Sequence, residues 1–173
     1  MKTFSPSPRA AFTLLELLTV MAIIITLAGI VLAGVGYAQQ KAARDRATAE
    51  IAALGAALES YKADNGEYPR NATSDGLQPT ASANAPALEA AQLLYSSLNG
   101  KYFPFKWDML NPAPTAASND PNTARAVIDP FGNNYGYSTR YLAGATTNYN
   151  NPTYDLWSTG GTNNDQAKWI SNW

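Results

Sequence analysis

The chain contains no cysteine and no histidine. Without cysteine, neither a disulfide framework nor a thiolate metal site can form, and the redox compartment leaves no trace in the sequence. Without histidine, the usual general base near neutral pH and the commonest metal ligand are both missing, which counts against catalysis. Charge is also scarce: 14% of residues are charged and the formal net charge is −1. Lysine and arginine are dispersed apart from one small group at Lys41, Arg44 and Arg46. No basic footprint for nucleic acid is present, and no nucleic-acid partner is expected. Two further absences are local. Proline is missing between Arg9 and Pro69, and from Phe12 to Gly36 the only ionisable side chain is Glu16.

What is there begins with a short polar segment, residues 1–11, carrying Lys2, Arg9, Pro6 and Pro8. An apolar run of about 25 residues follows, long enough to cross a hydrocarbon core of roughly 30 Å at about 1.5 Å per residue. Positive charge ahead of such a span holds that end in the cytoplasm. A secretory signal normally places its cleavage site after the apolar run, whereas here the small residues Ala10 and Ala11 precede it. Gly29, Gly34 and Gly36 suit close helix packing or a softened outer end.

Glu16 admits two explanations. In a simple signal anchor it is a charge tolerated near the interface. Its cost argues for more: a carboxylate at a helix centre in lipid costs roughly 2.5–3.5 kcal/mol, less near an interface, and buried charges persist when paired. A cut between Ala11 and Phe12 creates an α-amino group one helical turn from Glu16. That amine could meet its own Glu16, or the Glu16 of a staggered neighbour, which would select one axial register between subunits.

A basic leader, a small residue, Phe12-Thr13-Leu14-Leu15-Glu16 and then an apolar helix together resemble the prepilin signature of type IV pilins and type II secretion pseudopilins. The resemblance implies that a membrane aspartyl prepilin peptidase cuts after Ala11 and N-methylates Phe12. It also implies a single-pass inner-membrane protein with its head in the periplasm and lipid around its helix. An inner-membrane platform would then assemble it with other copies and related subunits into a periplasmic or surface filament. Ala11 stands where glycine is more usual.

The helical pattern continues to about Asp64. Ala47, Ile51, Leu54, Leu58 and Tyr61 recur at spacings of four and three, making one apolar stripe. Lys41 with Asp45 and Arg46 with Glu50 sit one turn apart. From Phe12 to Asp64, about 53 residues of helix would make a rod of roughly 80 Å. The stripe fits packing on a sheet better than a coiled-coil seam, since it is short and rich in alanine. Asn65-Gly66 and Pro69 stop the helix. The segment from Tyr61 to Pro69 resembles the Tyr-x-x-Asp-x-Gly-x-Tyr-Pro motif of major pseudopilins, a second and independent match.

Residues 70–86 read as a polar loop, residues 87–98 as a short helix burying Leu88, Ala91, Leu94, Tyr95 and Leu98, and residues 111–126 as another loop. Asn71-Ala72-Thr73 matches a glycosylation sequon. Tyr102-Phe103-Pro104-Phe105 is expected to pack on the stalk. Residues 126–137 read as strand, turn, strand, with Pro130 and Gly132 in the turn, Tyr135 and Tyr137 beyond it, and Tyr141-Leu142 prolonging the second strand. This stretch resembles the first hairpin of the pseudopilin head. Tyr154 to Ser158 reads as a third strand.

The C-terminus departs from that family. Major pseudopilins bind calcium there with a loop carboxylate and paired acids. This chain has Thr162 at the first position and Lys168-Trp169 at the second. The remaining calcium candidates are the Leu156 carbonyl, the Ser158 hydroxyl and Asp165. Calcium takes six to eight oxygens with carboxylates among them, so Lys168 argues against a tight site. Trp169, Ile170 and Trp173 are expected instead to pin the C-terminal loop to the sheet by burial.

The expected fold is α+β. A leader (1–11) precedes a transmembrane or filament-core helix (12–37); an amphipathic helix and a small antiparallel head follow (38–173). The expected function is a non-enzymatic filament subunit, of a secretion pseudopilus or of a type IV pilus in which it is a minor or major pilin. Two alternatives belong to other classes: a signal-anchored, aromatic-rich surface-binding module, and an anchored hydrolase using Asp108, Asp120 and Asp129, whose spacing nothing fixes.

Overall fold

The computed structural model describes residues 12–80, 86–112, 124–162 and 165–173, without the side chains of residues 33, 34, 86 and 87. The chain separates into two compact units, Met1–Lys41 and Ala42–Trp173. The first helix, α1, spans Leu14–Asn65. It belongs to both units and changes character between them.

Within the first unit the helix is apolar on every side. Leu17, Leu18, Met21, Ile24 and Leu27 are each more than half exposed. A helix with no polar face needs an apolar environment all round it, and this one is long and apolar enough to cross a membrane.

In the second unit the stripe works as its spacing predicts. Ala47, Ile51, Leu54 and Leu58 are buried and Tyr61 is partly so. The helix ends at Gly66, whose φ of 85° favours glycine and whose N–H donates to the Lys62 carbonyl at 2.8 Å. The residues beyond fold back: the Tyr68 hydroxyl donates to Glu59 at 2.8 Å, and Tyr137 donates to the Pro69 carbonyl at 2.8 Å. Burial and the Glu59 carboxylate push the Tyr68 hydroxyl up to about 12.

The expected loop at 70–86 contains a short helix, α2 (Ala72–Gly76). Asn71 caps it by accepting from Ser74 N, and the Ser74 hydroxyl accepts from Asn71 N. The sequon asparagine is thus a helix cap. Helix α3 (Pro86–Leu98) follows. It buries Ala90, Ala91, Leu94 and Leu98, with Tyr95 partly covered, but Leu88 is 44% exposed. Leu88 therefore faces outward. The aromatic run packs as expected: Tyr102 meets Tyr61 edge-on at 5.3 Å, and Phe103 and Phe105 lie against each other at 4.7 Å.

Two small antiparallel sheets complete the head. Strand β1 (Leu110–Asn111) pairs with β2 (Ala126–Val127), while β3 (Gly136–Ser138), β4 (Asp155–Ser158) and β5 (Ile170–Ser171) form the second sheet in that order. The expected hairpin is closed by an antiparallel bridge between Ile128 and Asn134, with Asp129 N donating to the Asn133 carbonyl at 2.7 Å and Tyr135 N to the Val127 carbonyl at 3.0 Å; the other edge of β2 pairs with β1. Tyr141-Leu142 does not prolong β3. The backbone turns there, with Gly144 N donating to the Tyr141 carbonyl at 2.9 Å.

Tyr135 and Tyr137 share one face and are both fully buried. Gly136 points the other way, opposite Trp157 in register. A Cβ on Gly136 would collide with the Trp157 indole, so only glycine lets that ring lie flat on the strand. The turn between Ile128 and Asn134 is held by Asp129: Oδ1 accepts from Phe131 N at 3.0 Å and Asn133 N at 2.8 Å, and Oδ2 accepts from the Ser158 hydroxyl at 2.6 Å. Burial nevertheless pushes the Asp129 carboxyl above its ordinary value, with the Glu50 charge adding to the effect against these donors.

Two outcomes are expected. Gly136→Ala should cost about 1–3 kcal/mol, measured by denaturant unfolding of the full chain in detergent with tryptophan fluorescence as readout. The folded head binds the Asp129 proton more tightly than the unfolded chain does. That contribution is therefore present below the unfolded value of about 4 and lost as pH rises through the raised folded value. Asp129→Asn stands in permanently for the protonated acid. Wild type should gain stability relative to Asp129→Asn on acidification from about pH 7 to about pH 4; a relative loss would contradict the raised carboxyl.

Candidate functional site

At the start of α1 the sequence Thr13-Leu14-Leu15-Glu16 forms a reciprocal cap. Glu16 Oε2 accepts from Thr13 N and from Thr13 Oγ1, both at 2.9 Å, and Glu16 N donates to Thr13 Oγ1 at 3.2 Å. The Thr13 N–H would otherwise be an orphan donor of the first turn, so the carboxylate completes the helix end while the hydroxyl partly solvates the carboxylate. Both groups are exposed. Sequence reasoning looked for a cationic partner of Glu16 and missed Thr13, although Thr-x-x-Glu is the spacing of a capping box.

The hydroxyls further along the span are satisfied by the helix itself. Thr19 donates to the Glu16 carbonyl at 2.9 Å, and Thr26 to the carbonyls of Ala22 and Ile23 at 3.1 and 2.8 Å. Such self-satisfaction is what an apolar surrounding demands of polar groups. Phe12 precedes the helix with its ring 83% exposed, and Ala11 lies outside the described residues.

In the head, Glu50 gathers the charge of the stalk helix. Arg46 Nε donates to Glu50 Oε1 at 2.7 Å and Nη2 to Asp108 at 2.8 Å, while the Tyr135 hydroxyl donates to Glu50 Oε2 at 2.8 Å. Burial and the neighbouring Glu50 carboxylate push the Tyr135 hydroxyl well up from its ordinary value. Asp108 is thereby committed to an ion pair and Asp129 to a buried turn, while Asp120 lies outside the described residues. No acidic pair set apart for hydrolysis emerges from them. The aromatic residues follow a similar pattern: Tyr135, Tyr137, Tyr154 and Trp157 are buried, and Trp107 and Tyr141 are exposed.

The residues named for calcium are each engaged with a different protein partner. The Leu156 carbonyl accepts from Asn172 N at 3.1 Å. Ser158 Oγ donates to Asp129 and accepts from Gly160 N at 3.0 Å. Asp165 Oδ2 faces Lys168 Nζ at 3.0 Å, and its Oδ1 accepts from Ala167 N at 3.2 Å. The Lys168 ammonium holds the Asp165 carboxyl below its ordinary value. Among the described residues no group of three or more acidic side chains is placed to hold a metal. Among the described residues, the Leu156 carbonyl, the Ser158 hydroxyl and Asp165 fall far short of six to eight free oxygens, so this donor set does not fit a calcium ion.

Comparison with known proteins agrees with the geometry of the stalk. A family model described as type II secretion system (T2SS), protein G, matches residues 35–92. Type II secretion system core protein G of Pseudomonas aeruginosa is 30% identical over 171 residues, covering 95% of this chain and 95% of that protein. The protein of the same name from Escherichia coli K12 is 30% identical over 163 residues, covering 91% of this chain and 89% of that protein. That from Klebsiella pneumoniae is 40% identical over 72 residues, covering 42% of this chain and 50% of that protein. No solved structure matches. On its likeness to two relatives along nearly the whole of both chains, this chain belongs to the type II secretion system core protein G family, the major pseudopilins.

Proposed function

We propose that the chain is a structural subunit of a type II secretion pseudopilus, held in the inner membrane by residues 12–37 and polymerised through that helix. The observation that carries this reading is the first half of α1: a stretch apolar all round with one carboxylate at its head. A passive anchor has no need of that carboxylate. A subunit that must find one axial register among identical apolar helices does, because a single charge pair in a low-dielectric setting penalises every other register.

In this reading prepilin peptidase cuts after Ala11 and methylates the new amine of Phe12. Glu16 rests on Thr13 while the subunit is single, and the amine of a neighbour replaces or joins Thr13 when the helices bundle. Positive charge at Lys2 and Arg9 keeps the leader in the cytoplasm and sends the head to the periplasm. The partners are then the peptidase, the inner-membrane assembly platform, further copies of this chain and related pseudopilins. A surface-binding module is less well supported, since most of the head's tyrosines and Trp157 are spent in its core or in aromatic pairs.

The first test is the N-terminal peptide mass of the protein from its own cells, expected to begin at N-methylated Phe12. A chain starting at Met1, or cut after the apolar run, would refute processing. Glu16→Ala should leave membrane insertion intact and lower filament yield about tenfold or more, the loss expected from about 1.4 kcal/mol or more of pairing energy per contact. Normal filaments from that variant, counted by electron microscopy of sheared material, would refute the register argument.

A further inference from the structure

The disagreement between the C-terminal loop and a calcium site has a positive side. We propose that the C-terminal segment from Asp165 to Trp173 is held in place by the chain's own side chains, with Trp169, Asn172 and Arg44 anchoring it and Lys168 standing as a built-in cation at Asp165, so that its anchoring is independent of divalent metal.

Several carbonyls on which a hard cation would draw are already matched by donors. Arg44 Nη2 donates to the Lys168 carbonyl at 2.9 Å, Trp169 Nε1 to the Thr162 carbonyl at 3.2 Å, and Asn172 N to the Leu156 carbonyl at 3.1 Å. The Asn172 side-chain amide grips one edge of the adjacent strand at two points, accepting from Leu156 N at 2.9 Å and donating to the Tyr154 carbonyl at 3.1 Å. Gln166 Nε2 reaches the Pro79 carbonyl at 2.9 Å, tying the loop to the segment after α2. The chain can pass this close only through glycine. Gly160 has a φ of 61°, and a Cβ there would press on the Lys168 carbonyl.

The indole rings supply the apolar part. Trp169 stacks on Trp157 with the ring planes 4° apart and centroids 5.8 Å apart, and Trp173 meets Trp157 edge-on at 6.1 Å. Trp157 is itself fixed by lying over Gly136. This order of importance follows from exposure. The Asp165–Lys168 pair is half exposed on both sides, so it adds little stability. Its effect is on selectivity: a tethered ammonium neutralises the one carboxylate of the loop and repels a second cation from it. Closure itself rests on stacking and on the carbonyl contacts.

The test is limited proteolysis of the full-length chain in detergent, with release of the C-terminal segment followed by mass spectrometry. Digests run in EGTA and in about 10 mM calcium chloride. Even a site of about millimolar affinity would raise protection about tenfold at that concentration. The expected result is equal release rates in the two conditions. Trp169→Ala should release the segment several-fold faster in both, with calcium restoring nothing. Arg44→Gln removes one hydrogen bond and leaves the core intact; it should show the same effect in smaller measure, which covers the case in which Trp169→Ala fails to fold. Protection of the wild-type segment that falls in EGTA and returns with calcium would overturn the proposal. So would release rates unchanged in both variants.

Discussion

The apolar stripe of α1 from Ala47 to Leu58 is the surface on which the head is assembled. Ile51, Leu54 and Leu58 lie in one cluster with Leu94 and Leu98 of α3, Val127 of β2, and Tyr137, Leu156 and Trp157 of the larger sheet. Neither sheet could stand by itself: one has two strands and the other three, all of them short. Their stability is borrowed from the helix. This is why so long a helix can end in so loop-rich a head without losing definition, and why its lower half needs one apolar face while its upper half has no polar face at all.

Tyrosine is the means by which the head joins those pieces. Tyr68, Tyr135 and Tyr137 each bring a large apolar ring into the core while a hydroxyl reaches a fixed acceptor: Glu59, Glu50 and the Pro69 carbonyl. A phenylalanine in place of Tyr137 would fill similar volume but leave the buried Pro69 carbonyl without this donor. The hydroxyls therefore act as distance rules between the helix, the segment that follows it and the sheet. Gly136 sets a further rule by omission, since the absent side chain makes the bed for Trp157.

How much of this was legible in the sequence follows from how local each signal is. The stripe, the Gly66 stop and the alternation that puts Tyr135 and Tyr137 on one face rest on periodicity or on backbone conformation, and they came through. Leu88 was assigned to the core because it keeps helical phase with Leu94 and Leu98, but phase does not reveal that the helix is not fully covered at that position. The Asn71–Ser74 cap was passed over because a run of polar residues reads as a loop unless the reciprocal spacing is noticed. The pairing of β1 with the outer edge of β2 was out of reach, since strands of two residues carry no alternation to read. At the N-terminus the position of Glu16 was legible and its partner Thr13 was not, because a charge invites the search for an opposite charge. At the C-terminus, Lys168 and Trp169 were recognised as departures, but their partners Arg44 and Trp157 lie far away in sequence.

The carboxylates of this sparsely charged chain also separate by how they are satisfied. Asp129 and Asp155 are buried and accept backbone N–H groups of neighbouring turns, which cannot leave without unfolding the turn. Glu50 is shared between a guanidinium and a buried tyrosine. Asp165 carries its own lysine. Glu16 is held by one threonine at the outermost turn of a helix, through contacts that are fully exposed and carry no opposite charge. Those contacts are enough to keep an isolated helix end in order, and they leave the net charge uncompensated. A carboxylate so placed can accept a cation without disturbing a packed residue, as the buried Asp129 and Asp155 cannot. That contrast, rather than the mere presence of an acid in an apolar segment, supports the role proposed for Glu16 in recognition between subunits.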